Sequence, residues 1–125
     1  MRYAPLVERI AGSSAGAWAV HMEAARRRGR AGIMSGLLRE APACRVVPPE
    51  GGMFVLLDIR GTGLSSGDFA RQLLDRERVA VLPCDGFGPS AIGHLRIALS
   101  APEARLREAG ERIVRFARTL AAAES

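Results

Sequence analysis

Arg96 is the side chain whose setting most invites chemistry, because it stands in the middle of the apolar run Gly93-His94-Leu95-Arg96-Ile97-Ala98-Leu99. An unpaired charge buried in such a strand is prohibitively costly, so the guanidinium needs an anion. Its planar fork suits a carboxylate in two parallel hydrogen bonds and stays charged at any working pH. A ligand carboxylate meets that need, and so does a neighbouring Asp or Glu at a strand edge; from pattern alone the local pair is the better reading. Against this stands an absence. All 18 Lys and Arg residues are arginine, so the chain carries no lysine amine. Chemistry that starts from a lysine nucleophile is closed to these residues.

Other reactive side chains are less suggestive. His21 and His94 have no Cys, Asp or Glu at metal-ligand spacing, so no metal site is expected. His94 alternates onto the same strand face as Arg96 and is close enough in sequence to touch a ligand there, but a structural histidine is the simpler reading. Cys44 and Cys84 read as reduced thiols rather than a disulfide. The stretch Gly61 to Gly67 lacks the glycine spacing of a dinucleotide loop, and Gly86-Phe87-Gly88-Pro89 leads into a strand rather than a helix N-terminus. No Gly-x-Ser-x-Gly nucleophile elbow occurs. The net charge of +5 raises nucleic acid as a partner, but the arginines are scattered among 13 acids and one Tyr and one Trp are too few to stack bases. Arg26-Arg27-Arg28-Gly29-Arg30 is either a phosphate-binding patch or a solvated helix face, and the second reading is preferred. No apolar run reaches membrane-spanning length, and Met1 to Gly12 lacks the apolar core of a signal peptide. A cytoplasmic protein is therefore expected.

The elements that must position these residues follow from periodicity. At 125 residues the chain is long enough for one domain with its own core. Ser13 or Ser14 caps a helix from about Ala15 that carries Trp18, Met22 and Ala25 on one face. Ile33, Met34, Leu37 and Leu38 mark a second helical stretch, continuous with the first or broken near Gly29, which Pro42 ends. Arg45-Val46-Val47 is a short strand stopped by Pro48-Pro49. After a turn at Glu50-Gly51-Gly52, Met53 to Ile59 is an apolar strand expected to be covered on both faces. Ser65 or Ser66 caps a helix that carries Phe69, Leu73 and Leu74 to about Arg78, with Asp68 against its N-terminal dipole. Val79 to Pro83 is a strand, Asp85 to Gly93 a glycine-rich loop, and Leu95 to Leu99 a strand. Pro102 opens a last helix with Leu106, Ala109, Ile113, Phe116, Ala117 and Leu120 at i, i+3, i+4 spacing. The fold class is α+β: a small antiparallel or mixed sheet with helices packed on it.

Several of these stretches together resemble one family. Pro49-Glu50-Gly51-Gly52-Met53-Phe54, Ser66-Gly67-Asp68-Phe69-Ala70, Val79-Ala80-Val81-Leu82-Pro83, Phe87-Gly88 and His94-Leu95-Arg96-Ile97 occur in the order and spacing of the C-terminal small domain of fold-type I, class I/II pyridoxal-phosphate-dependent aminotransferases. The string Gly52 to Ser65 looks most like the arginine–pyruvate transaminases. Arg2-Tyr3, Ile10-Ala11-Gly12 and Ala17 to His21 are similar to the N-terminal segment of the same enzymes, which completes that small domain. The resemblance thus implies one small domain over 1–125, with residues 1–28 and 29–125 joined near 23–30 where the family places its large cofactor domain.

By resemblance, Arg96 matches the arginine that grips the substrate α-carboxylate, while Gly52 and Phe87 fall in loops lining the family's substrate entrance. The family's Schiff-base lysine, Asn-Pro-x-Asn-Pro turn, pyridine-pairing Asp and phosphate-binding loop have no counterpart here. No catalytic and no cofactor-binding residue is therefore expected. The reading is a truncated aminotransferase-like protein that keeps a carboxylate clamp for an amino acid or 2-oxo acid, binds no pyridoxal phosphate itself and is inactive alone. The alternative is a non-enzymatic module that associates with itself as a homo-oligomer or with an intact aminotransferase.

Overall fold

The computed structural model describes residues 29–47 and 53–124. Expectations for the first helix and its cap, for His21, for Arg26 to Arg28, and for Pro48, Pro49 and the turn with Gly52 fall outside the described residues. Within them the order is a helix over 29–38 (α1), β1 (Arg45–Val47), β2 (Phe54–Asp58), α2 (Ser66–Glu77), β3 (Leu82–Pro83), β4 (His94–Ala98) and α3 (Glu103–Glu124). Short 3-10 turns at Arg60–Thr62, Asp85–Phe87 and Pro89–Ala91 fill what the sequence reads as plain loops.

The four strands form one antiparallel sheet in the order β1-β2-β4-β3. Register follows the side-chain alternation. Val55 lies opposite Ile97 and Leu57 opposite Leu95, all of them buried. Leu56 lies opposite Arg96 and Asp58 opposite His94, on the other face. A slip of one residue would turn the buried set outward, so the pattern fixes the pairing. The expectation that β2 is covered on both faces is corrected: Phe54 is exposed and Leu56 half-buried, and helices cover one face alone among the described residues. Arg96 is accordingly half-buried on the bare face rather than enclosed in a buried strand. The strand expected over Val79 to Pro83 shortens to its last two residues, where the sheet edge is reached and Pro83 has no N–H to extend the ladder.

The core is built between the sheet and three helices. Met34 and Leu38 from α1, Phe69 and Leu73 from α2, and Leu106, Ile113 and Phe116 from α3 close over Val55, Leu57, Leu95 and Ile97. Phe69 and Phe116 meet edge to face with centroids 4.9 Å apart and an interplanar angle of 82°, a geometry that adds about 0.5–1.5 kcal/mol to plain burial. Leu74, expected on the apolar face of α2, is exposed instead. Ser65 is the cap of α2, accepting from Asp68 N at 3.1 Å. The helix ends at Arg78, whose left-handed backbone lets its N–H reach Leu74 O. α1 stops at residue 38, before Pro42. Gly110 lets α1 lie close on α3, since a Cβ there would sit 2.9 Å from Leu37 Cδ1.

Candidate functional site

The sheet face left bare by the described residues carries the candidate site. In register, Arg96 on β4 is flanked by Leu56 on β2 and Leu82 on β3. Its guanidinium carbon lies 5.0 Å from the Phe54 ring centroid and 5.8 Å from that of Phe87. Phe54 is 42% exposed, Leu82 44% and Phe87 67%, so an apolar rim stands open around one fixed cation. Aromatic faces attract a cation, and they also restrict the plane of the guanidinium. Among the described residues no carboxylate forms an ion pair with Arg96. The local Asp or Glu partner that the strand pattern favours is therefore not found there.

Asp58, the acid nearest in register on this face, is already engaged. Arg60 N and Arg60 Nε each donate to its Oδ1 at 3.0 Å, and Arg60 Nη2 donates to Oδ2 at 2.8 Å. The Arg60 side-chain hydrogen bonds hold the Asp58 carboxyl at about 2, below the usual carboxylate range, with a smaller contribution from His94. His94 Nδ1 lies 3.1 Å from Ile92 O, the local contact of a structural histidine. Gly93 joins this corner to the sheet. Its O accepts from Ile59 N at 2.9 Å, its φ is +78°, and a Cβ there would fall 2.2 Å from Arg60 Cγ. Glycine is required on both counts.

The segment carrying Phe87 links β3 to β4 and is held at its ends. Cys84 N donates to His94 O at 3.0 Å, and Phe87 N donates to Cys84 O at 2.9 Å. Asp85 Oδ1 accepts from Ser66 Oγ at 2.5 Å and from Gly93 N at 3.2 Å. Both cysteines are free thiols, and burial pushes Cys44 up to about 11 and raises Cys84 as well, so neither is a nucleophile at neutral pH. Among the described residues no three His, Cys, Asp or Glu side chains gather as a metal site would require.

The structure thus brings Arg96 and Phe87 together, while Gly52 lies outside the described residues. Phe54, Asp85 and Ser66 were missed. Phe54 was recoverable in principle, since once Leu56 is set opposite Arg96 its neighbour two residues back must share that face. The Ser66–Asp85 pair spans two elements, and nothing local marks it.

The family model for aminotransferase class I and II matches residues 4–113. The chain belongs to that family. It is 50% identical over 91 residues to the arginine–pyruvate transaminase of Pseudomonas aeruginosa, a match over 73% of this chain and 23% of that protein. An aspartate aminotransferase of Pyrococcus horikoshii is 38% identical over 76 residues, covering 61% of this chain and 19% of its own. The crystal structure of an aromatic aminotransferase from Pyrococcus horikoshii superposes with a TM-score of 0.79 at 31% identity, over 86% of this chain and 29% of that one. The chain therefore spans less than a third of the length of these aminotransferases. The family uses pyridoxal phosphate, and the donor set present does not fit covalent attachment of that cofactor, because 125 residues include no lysine.

Proposed function

We propose that this chain is an aminotransferase small domain that holds the carboxylate of an amino acid or 2-oxo acid through Arg96 and does not catalyse amino transfer by itself. The observation that carries the reading is the Arg96 guanidinium, set on an open face against Phe54 and Phe87 with no carboxylate paired to it among the described residues. A fork with free N–H groups in an apolar rim favours a planar anion, because the rim lowers the local dielectric and strengthens charge-assisted hydrogen bonds. Amino transfer also needs an amine to carry the cofactor and to move the α-proton, and no lysine is present to do either. On this reading residues 1–28 and 29–125 make one domain joined near 23–30, Gly52 and Phe87 border the ligand, pyridoxal phosphate is not bound by the chain, and the free thiols suit a reducing cytoplasm. Incubation with pyridoxal phosphate, L-arginine and pyruvate tests it. The expected rate equals that of the cofactor without protein, and protein-dependent turnover would contradict the reading.

A second reading rests on the same bare face. Exposed Phe54, Leu82 and Phe87 give an apolar surface suited to self-association or to docking on an intact aminotransferase. The chain would then act as an interaction module rather than a ligand holder.

A further inference from the structure

We propose that Asp85 is a positioning residue, which with Ser66 ties the β3–β4 segment to the start of α2 and so holds Phe87 against the Arg96 guanidinium. Ser66 is 1% exposed and is the first residue of α2, which is itself fixed by the Ser65 cap and by Phe69 and Leu73 in the core. Its hydroxyl is thus a rigid anchor point. Asp85 Oδ1 takes the Ser66 hydroxyl at 2.5 Å and the Gly93 N–H at 3.2 Å, so one oxygen bridges the helix, the first residue of the segment and its last. Between those two ends lie two 3-10 turns, and Phe87 ends the first of them. Phe87 is 67% exposed and so is not anchored by burial in the core. Its position 5.8 Å from the guanidinium carbon is therefore set by its backbone, and the backbone is set by the Asp85 bridge. A segment tied at both ends samples fewer conformers, so less order is lost when a ligand arrives. Asp85 touches no ligand in this account. It acts through Phe87, and its effect on binding rests on the carboxylate reading given above, whereas its effect on the ring does not.

Arginine Nε–Hε resonances of the 15N-labelled full chain test both parts, with the Arg96 signal identified by its loss in Arg96→Gln. In the free protein the Phe87 ring, 5.8 Å from the guanidinium carbon, is expected to displace this signal by its ring current. Phe87→Leu removes the displacement, and Asp85→Ala is expected to shift the signal the same way while amide resonances of α1, α2 and α3 stay in place. Asp85→Asn, whose amide oxygen still accepts both hydrogen bonds, restores the wild-type position. Titration with pyruvate then reads binding: the midpoint rises about two- to fivefold in Asp85→Ala and in Phe87→Leu, the cost of ordering one side chain that is no longer held before the ligand arrives. The double variant is no weaker than either alone, because both changes remove the same contact. If Asp85→Ala fails to fold, Ser66→Ala opens the same bridge from the helix side and is read in its place. An Arg96 signal that stays at the wild-type position in the bridge variants, while Phe87→Leu moves it, overturns the proposal. So do effects that multiply in the double variant. A wild-type Arg96 signal that ignores pyruvate sinks the carboxylate reading instead, and the ring-current comparison still decides the role of Asp85.

Discussion

On the bare face two arginines have opposite roles. Arg60 closes on Asp58 through its backbone N–H and two guanidinium nitrogens, so that acid is satisfied within its own strand end. Arg96, two residues along the neighbouring strand from the partner of Asp58, keeps its fork unpaired among the described residues. Were Asp58 free, it would compete with any ligand for Arg96. The depressed Asp58 titration fixes the pH behaviour of this corner. Its folded value of about 2 lies below the unfolded one, so the pair contributes to stability above the ordinary carboxylate value near about 4 and loses that contribution as pH falls from about 4 to about 2. Carboxyl 13C shifts should show Asp58 titrating at about 2 in the wild type and moving up towards about 4 in Arg60→Ala. An unchanged midpoint would mean that Arg60 is not its main partner. Arg96 itself was legible as a residue from its apolar neighbours, yet its environment was not. Residue type alone does not say which face of a sheet stays bare.

The elements were legible where burial imposes a period. α3 shows its apolar residues at i, i+3, i+4: Leu106, Ile113, Phe116 and Ala117 are buried as that period requires, Ala109 and Leu120 are half-buried, and Val114 is buried as well. β2 and β4 were legible as strands, but the continuous apolar run of β2 suggested two covered faces, since Phe54 and Leu56 have the same chemistry as Val55 and Leu57. A hydrophobic residue left outside cannot be told from a buried one by type. The ties between elements were not legible at all. Glu77 at the end of α2 binds Arg115 of α3 through both oxygens, with Arg115 Nε at 3.0 and 3.1 Å, while Arg112 Nη1 donates to Glu77 O at 2.8 Å. These contacts are 35 and 38 residues apart in sequence. They orient α2 on α3, and α2 in turn carries the Ser66 anchor. The energy of that seam lies in the rings beneath it. Phe116→Ala should cost about 3–5 kcal/mol in denaturant unfolding, from lost burial and the cavity left against Phe69. A loss below about 1 kcal/mol would show that α3 is not part of the cooperative core.

Among the described residues, one side of the sheet carries the helices and the other carries Arg96 beside exposed apolar side chains. A face of this kind is either a binding surface for a small ligand or a surface for another protein. On the interaction-module reading, self-association buries Phe54, Leu82 and Phe87 together, and sedimentation velocity at rising concentration then shows a dimer that weakens in Phe87→Glu. A monomer at every concentration would leave the interaction-module reading without support. The family resemblance was legible from motif order and the missing lysine from composition, but the surroundings of Arg96 needed the geometry. It sets Arg96 beside exposed Phe54, Leu82 and Phe87, with no carboxylate ion-paired to it among the described residues.

Whether Arg96 holds a carboxylate is read from its Nε–Hε resonance during titration at constant ionic strength. Pyruvate is predicted to shift that signal saturably, with a midpoint of about 10 mM or weaker, as one charge-assisted pair at an open site allows. Pyruvamide, which has the same shape without the charge, is predicted to leave it in place. No response to pyruvate, or the same response to both compounds, would contradict the account.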